Sequence, residues 1–160
     1  MDRLLKLLSE NSSFSVSELS SMLGEPEDYI AAQIKEYESQ GVIRGYRAVV
    51  NWDAVPGSGV IALIELKVAP QQQKGFDEIA ERIMQFDEVE SVYLMAGSYD
   101  LLLSVKGDTI QDVSSFVSKK LSALEGVLAT ATHFMLRRYK ENGVALVDVD
   151  GETDRREMVF

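Results

Sequence analysis

Apolar residues follow two different periods along this chain. Up to about residue 41 they recur at helical spacing. From residue 60 they fall in strand-length blocks separated by helical segments. Leu4, Leu5, Leu7 and Leu8 make the first stripe, with Asp2 as its expected N-cap and Asn11-Ser12-Ser13 as its break. Ser15-Val16-Ser17-Glu18 has the spacing of a capping box, in which hydroxyl and carboxylate each satisfy an N–H left unpaired by the first turn. The helix it opens has Leu19, Met22 and Leu23 as its expected buried face and stops at Gly24. Glu25-Pro26 opens a third helix, with Pro26 suited to the first helical position because its missing N–H has no partner there. Ile30, Ile34 and Tyr37 stand at i, i+4 and i+7 and face inward, and Gly41 suits the position just past the end. A short second helix followed by a longer third is the layout of a helix-turn-helix. Val42 to Val50 then reads as extended, with a tight spot at Gly45.

The second half predicts β-α-β-β-α-β. Val60–Val68 is a strand stopped by Pro70, and Phe76, Ile79, Ala80, Ile83 and Phe86 mark a helix. Val89–Ala96 and Leu101–Val105 flank a tight hairpin at Gly97-Ser98-Tyr99-Asp100. Ile110, Val113, Phe116, Val117 and Leu121 mark a second helix, and Val127–Tyr139 is the last strand. This order gives a ferredoxin-like sandwich with helices on one sheet face. The strands are apolar on both faces, so the other face also needs cover, and a homodimer supplies it most economically.

Composition narrows the choice. The chain has 160 residues, 46% of them hydrophobic, and no stretch reaches the roughly 18 uninterrupted apolar residues of a membrane span. No signal-peptide pattern opens the sequence, and a cytoplasmic location with no membrane association is expected. With no cysteine, disulfides and thiolate metal sites are excluded. The net charge is −10, with −3 in residues 1–50, −3 in residues 51–140 and −4 in residues 141–160. No segment is basic, which opposes tight nonspecific binding to DNA.

Tyr37-Glu38-Ser39-Gln40-Gly41-Val42-Ile43-Arg44-Gly45-Tyr46 resembles the signature that ends the winged helix-turn-helix of the Lrp/AsnC (feast/famine) transcription regulators. Leu94-Met95-Ala96-Gly97-Ser98-Tyr99-Asp100-Leu101 resembles the Gly-x-Tyr-Asp hairpin of that family's ligand-binding domain, and Ala129 to Lys140 resembles its last strand. The resemblance covers roughly residues 1–140. It implies an α+β chain: a winged helix-turn-helix DNA-binding domain at 1–50, a hinge at 51–58, a ferredoxin-like effector-binding and oligomerisation domain at 59–140, and an acidic tail at 141–160.

The resemblance also implies partners and site residues. The third helix would enter the major groove of double-stranded DNA with Glu27, Asp28, Ala31, Ala32 and Lys35 outward. Lys35, Arg44 and Arg47, with Arg3 and Lys6, are the available phosphate ligands. Pro26 stands where the family commonly has a capping Ser, and Gln33 where it commonly has Arg. Glu27 and Asp28 repel phosphates, although they also favour the positive end of the helix dipole. A homodimer assembling to a higher oligomer such as an octamer is implied, with an amino-acid effector near the hairpin. Gly97 permits close backbone approach, and the N–H groups of Gly97, Ser98 and Tyr99 suit a carboxylate. Asp100 suits an α-ammonium, and Thr130 and Thr132 share one strand face. From the residues alone, Asp100 reads equally as a turn residue, and the threonines as ordinary strand residues.

The remaining candidates read as structural. His133, the single histidine, stands beside Phe134 and Met135 on a strand, and Trp52 reads as a packing residue near the hinge. Asp148-x-Asp150-x-Glu152 covers only part of a calcium loop. No metal site, cofactor or catalytic residue is expected, because no nucleophile–base pair or phosphate loop is present. A branch of this architecture resembles sirohaem decarboxylases, but one histidine and a charge of −10 fit a polyanionic tetrapyrrole poorly. The expected function is sequence-specific transcriptional regulation of amino-acid or related metabolism, modulated by a small effector at subunit interfaces. The alternative is a DNA-silent effector- or partner-binding protein that retains the fold.

Overall fold

The computed structural model describes residues 2–69 and 75–148. Pro70 lies outside them, as does the tail from Val149, including Asp150 and Glu152. The chain divides into two compact units. One comprises residues up to Val50 together with the segment from Tyr139, and the other runs from Asn51 to Arg138.

The first unit holds α1 (Arg3–Glu10), α2 (Val16–Leu23) and α3 (Glu27–Ser39). Leu4, Leu19 and Ile30, one residue from each helix, are its buried centre. Leu7, Leu8, Phe14, Leu23, Ile34 and Tyr37 pack around them. Met22 departs from expectation and is 46% exposed. Leu19 and Leu23 are 40° apart on the helix, but Met22 lies about 60° to the other side of Leu19 and so points outward.

Both expected caps on α1 and α2 form. Asp2 accepts the Leu5 N–H at 3.0 Å. Ser15 accepts the Glu18 N–H at 3.2 Å while Glu18 accepts the Ser15 N–H at 2.7 Å. Helix α3 ends as its sequence predicts. Gly41, at φ 69°, donates to the Glu38 carbonyl, and Val42 donates to that of Tyr37. This pair of hydrogen bonds closes the last turn and needs the left-handed conformation that glycine adopts without strain.

Residues 42–50 form no strand ladder. The two-stranded ribbon in this unit is instead β5 (Lys140–Glu141) with β6 (Val144–Ala145). An extended segment becomes a strand only with a partner edge, and residues 42–50 do not fold back on themselves.

The second unit carries β1 (Val60–Val68), α4 (Asp77–Ile83), β2 (Val89–Leu94), β3 (Leu101–Gly107), α5 (Ile110–Phe116) and β4 (Val127–Phe134). A short 3₁₀ turn at Trp52–Ala54 precedes them, and α5 runs on into one wider π-type turn, Val117–Leu121. The sheet is antiparallel throughout, in the order β2-β3-β1-β4, which is the expected ferredoxin-like arrangement. Ala62, Ile64, Leu66 and Val68 of β1 and Leu101, Leu103 and Val105 of β3 point to one face. They form the core there with Ile79, Ile83, Val113, Phe116 and Leu121. The last strand ends at Phe134, earlier than expected, and Ile110 is 49% exposed at the first position of α5.

Two predictions follow from this packing. Leu19→Ala is expected to lower the stability of the helical unit by about 2–5 kcal/mol, read from urea denaturation monitored by circular dichroism. The Leu5 N–H and then the Tyr37 hydroxyl hold the Asp2 carboxyl below the usual carboxylate range. A depressed folded value adds stability that is complete above about pH 4 and is lost as pH falls through that value. Asp2→Asn is therefore expected to flatten the decline in melting temperature of the helical unit below about pH 4.

Candidate DNA interface and effector loop

The turn between α2 and α3 combines Gly24, at φ 73°, with Glu25-Pro26. The Ser20 hydroxyl donates to the Glu25 carbonyl across it. Pro26 is the N-cap of α3 rather than its first helical residue, and it offers no side-chain acceptor. Glu27 and Asp28 occupy the first turn, where the helix dipole favours negative charge.

Glu27, Asp28, Ala32 and Lys35 are exposed on α3, as expected. Ala31 is half-buried, because it flanks the stripe that carries Ile30 and Ile34. Tyr29, which the apolar pattern passed over, is 51% exposed on α3, and Glu36 is exposed as well. An aromatic residue next to the inward Ile30, one step out of its period, was the signal available for Tyr29.

Arg44 and Arg47 lie beyond the helix. A Cβ built on Gly41 would stand 2.8 Å from Cζ of Arg44, so the guanidinium lies against the glycine that ends α3. There its charge complements the negative end of the helix dipole. Arg47 is exposed and lines an open groove of about 1020 Å³ with Leu5, Leu8, Val49 and Val144. The Tyr46 hydroxyl donates to the Glu38 carboxylate at 2.9 Å, tying the following segment back to α3. Desolvation and this bond raise the pKa of the Tyr46 hydroxyl.

The second candidate site is the loop between β2 and β3. The last pair of that ladder is Leu94 with Leu101, so the loop comprises Met95–Asp100 and is wider than a tight hairpin turn. It is closed by the Met95 N–H donating to the Asp100 carbonyl at 2.8 Å. Asp100 also fastens it to the end of β1. Its N–H donates to the Leu66 carbonyl at 2.9 Å, and its carboxylate Oδ2 accepts the Val68 N–H at 2.9 Å. One carboxylate oxygen is thus engaged by backbone, beyond the turn itself. The Lys67 ammonium donates to the Ser98 carbonyl at 3.0 Å.

Between these fastenings, the N–H groups of Ala96, Gly97, Ser98 and Tyr99 have no acceptor among the described residues. Gly97 is not in a left-handed conformation, and a Cβ there would meet open space. The fold does not itself require glycine at this point; a ligand approaching from outside would benefit from it.

Thr130 pairs with Leu66 and Thr132 with Ile64, so both threonines are on the helix-covered face, half-buried. Thr130 is level with the attached end of the loop but two strand spacings away, about 10 Å, with β1 between them. Thr132 lies two residues farther along β4. The register therefore keeps the loop residues together and sets the threonines apart from them. His133 stands on the opposite, open face with its Nε2 3.6 Å from Glu65. Among the described residues no cluster of side chains fits a metal ion, and no helix is long and apolar enough to cross a membrane.

A family model described as the Lrp/AsnC ligand binding domain matches residues 61–145, more than half of the chain. The chain belongs to the Lrp/AsnC family. The uncharacterized HTH-type transcriptional regulator YugG of Bacillus subtilis (strain 168) is 44% identical to it over 157 residues, 98% of this chain and 93% of that protein. A proline dehydrogenase transcriptional activator of Rhizobium radiobacter is 30% identical over 142 residues, 89% of this chain and 90% of its own. Among solved structures, a Neisseria meningitidis transcriptional regulator in complex with L-Met superposes at TM-score 0.69 and 25% identity, covering 91% of this chain and 97% of that one. This Lrp/AsnC chain is accordingly a helix-turn-helix transcriptional regulator and not an enzyme.

In this Lrp/AsnC domain the attachment of the loop rests largely on Asp100. Asp100→Ala leaves the Val68 N–H without its acceptor and is expected to cost about 1–2 kcal/mol. Asp100→Asn keeps an acceptor oxygen and should cost less. Hydrogen exchange at the Val68 amide, with urea denaturation alongside, checks both.

Proposed function

We propose that this regulator binds DNA sequence-specifically through α3 and is modulated by a small amino-acid-like effector held at the Gly97–Asp100 loop. In this reading residues 1–50 are the DNA-binding domain, 51–58 the hinge and 59–140 the effector-binding and oligomerisation domain, with 141–160 an acidic tail. Asp28, Ala32 and Lys35 face the major groove, with Glu27 and Ala31 at its margin. Lys35, Arg44 and Arg47 meet phosphates. Gly97, Ser98 and Tyr99 offer backbone donors to the effector, while Asp100 holds the loop; Thr130 and Thr132, on the helix-covered face about 10 Å away, are left out of this site. The observation that carries the effector reading is the run of four N–H donors without acceptors, held open at both ends. The L-Met complex of the Neisseria relative supports an amino acid as the effector class.

The open face of the sheet supports a homodimer, and higher assembly such as an octamer is the further expectation. It carries Ile61 and Leu63 of β1, Tyr93 of β2 and Leu102 of β3. Tyr93 is 55% exposed there. A dimer would present two copies of α3 to successive major grooves in the cytoplasm. An effector alters such an assembly only by binding two of its states with different affinity.

A second reading, a DNA-silent protein that binds an effector or partner, is favoured by the surface of α3. Asp28 and Glu36 outnumber Lys35 there, and Arg44 is engaged at the end of the helix. Titration of the protein against DNA from upstream of its own gene, at several salt concentrations, separates the two. The regulator reading expects affinity to fall about 10³-fold between 50 and 200 mM salt, for about six phosphate contacts per dimer. Lys35→Ala should lower the logarithmic salt slope by about 1–2 per dimer. Absence of binding at low salt, with and without amino acids, leaves the DNA-silent reading.

A further inference from the structure

Lys67 stands apart from the other cations of the second unit. It lies between Leu66 and Val68, whose side chains are buried in the core, so strand alternation places it on the open face. Ala129 sits opposite it and leaves room around it. From that face its ammonium reaches the crest of the Met95–Asp100 loop and donates to the Ser98 carbonyl at 3.0 Å. Among the described residues it has no ion-pair partner. The neighbouring acid on the same face, Glu65, is directed instead at His133.

A neutral carbonyl is a weak partner for an ammonium, and a carboxylate makes a markedly stronger bond with it. The ammonium is also within hydrogen-bond distance of the segment that presents the N–H groups of Ala96, Gly97, Ser98 and Tyr99. Neutral donors and a formal positive charge thus belong to one loop, in a chain of net charge −10. The acid in the loop, Asp100, has one oxygen held by the Val68 N–H.

We propose that Lys67 is the carboxylate-recognising residue of the effector site. Its ammonium rests on the Ser98 carbonyl when the site is empty and pairs with the carboxylate of the bound effector. This rests on the effector reading above and deepens it. The loop amides hold an acceptor, neutral or anionic, and Lys67 adds the larger part of the preference for an anionic acid over its neutral analogue. Because Lys67 emerges on the open face, occupancy of the loop also changes the charge presented there.

The test compares the standard L-amino acids with their α-carboxamides, using calorimetry on the full chain and on Lys67→Gln and Lys67→Met. The wild type is expected to bind at least one amino acid and to bind its carboxamide at least about tenfold more weakly. Both variants should bind the acid about tenfold more weakly than the wild type does, and should lose most of the preference for acid over amide. Lys67→Gln keeps a donor for the Ser98 carbonyl, so it separates the charge from simple tethering of the loop. Wild-type discrimination retained in Lys67→Gln overturns the role of Lys67 and leaves the effector reading intact. If the wild type binds no amino acid, the effector reading fails and this role fails with it.

Discussion

Strand β1 is paired on both edges, and its register constrains nearly everything in the second unit. Ala62, Ile64, Leu66 and Val68 must face the helices, because a slip of one residue would exchange them for Ile61, Leu63, Glu65 and Lys67. That exchange would bury two charges, at a far greater free-energy cost than any local gain. The same alternation puts Lys67 on the open face, the threonines of β4 on the covered one, and the end of β1 beside the β2–β3 loop. The site is thus an indirect product of core packing.

The attachment of that loop shows how a ladder ends without leaving groups unpaired. The last pair between β1 and β3 is Leu66 with Leu101, and one step farther the Val68 N–H has no strand partner on that side. The Asp100 carboxylate takes the place of a carbonyl there. The loop is fixed at Met95 and Asp100, and the amides between them remain exposed. Fastened ends with open donors between them are what the proposed effector site requires, since a backbone already held need not be ordered when a ligand arrives.

In the helical unit, two electrostatic demands on α3 conflict. Glu27 and Asp28 stabilise the start of an uncapped helix through its dipole, and the same charges repel a DNA backbone. Arg44 likewise complements the end of the helix while being one of the few cations available near it. The local terms are each a few tenths to one kcal/mol, whereas phosphate contacts add to one another. Recognition through this helix, as proposed, would therefore depend on how many cations are brought to the DNA together.

Local patterns were legible in the sequence wherever the cause is local. The capping box at Ser15, the cap at Asp2, the glycine ends at Gly24 and Gly41 and the β-α-β-β-α-β order all depend on residues a few positions apart, and the fold bears them out. The two family signatures, around Gly41–Tyr46 and Gly97–Asp100, could also be seen there. Tertiary structure decided what depends on pairing between distant segments. Residues 42–50 found no partner strand, and β4 found its place beside β1. Met22 and Ala31 exchanged their expected exposures, because burial depends on a few tens of degrees around a helix and on what packs beside it. Asp100 became a fastening to Val68, and Lys67 came within reach of Ser98, through a register that joins residues about thirty positions apart. The pattern within β1 specifies which faces its side chains take, but only the neighbouring strands determine which atoms those faces meet.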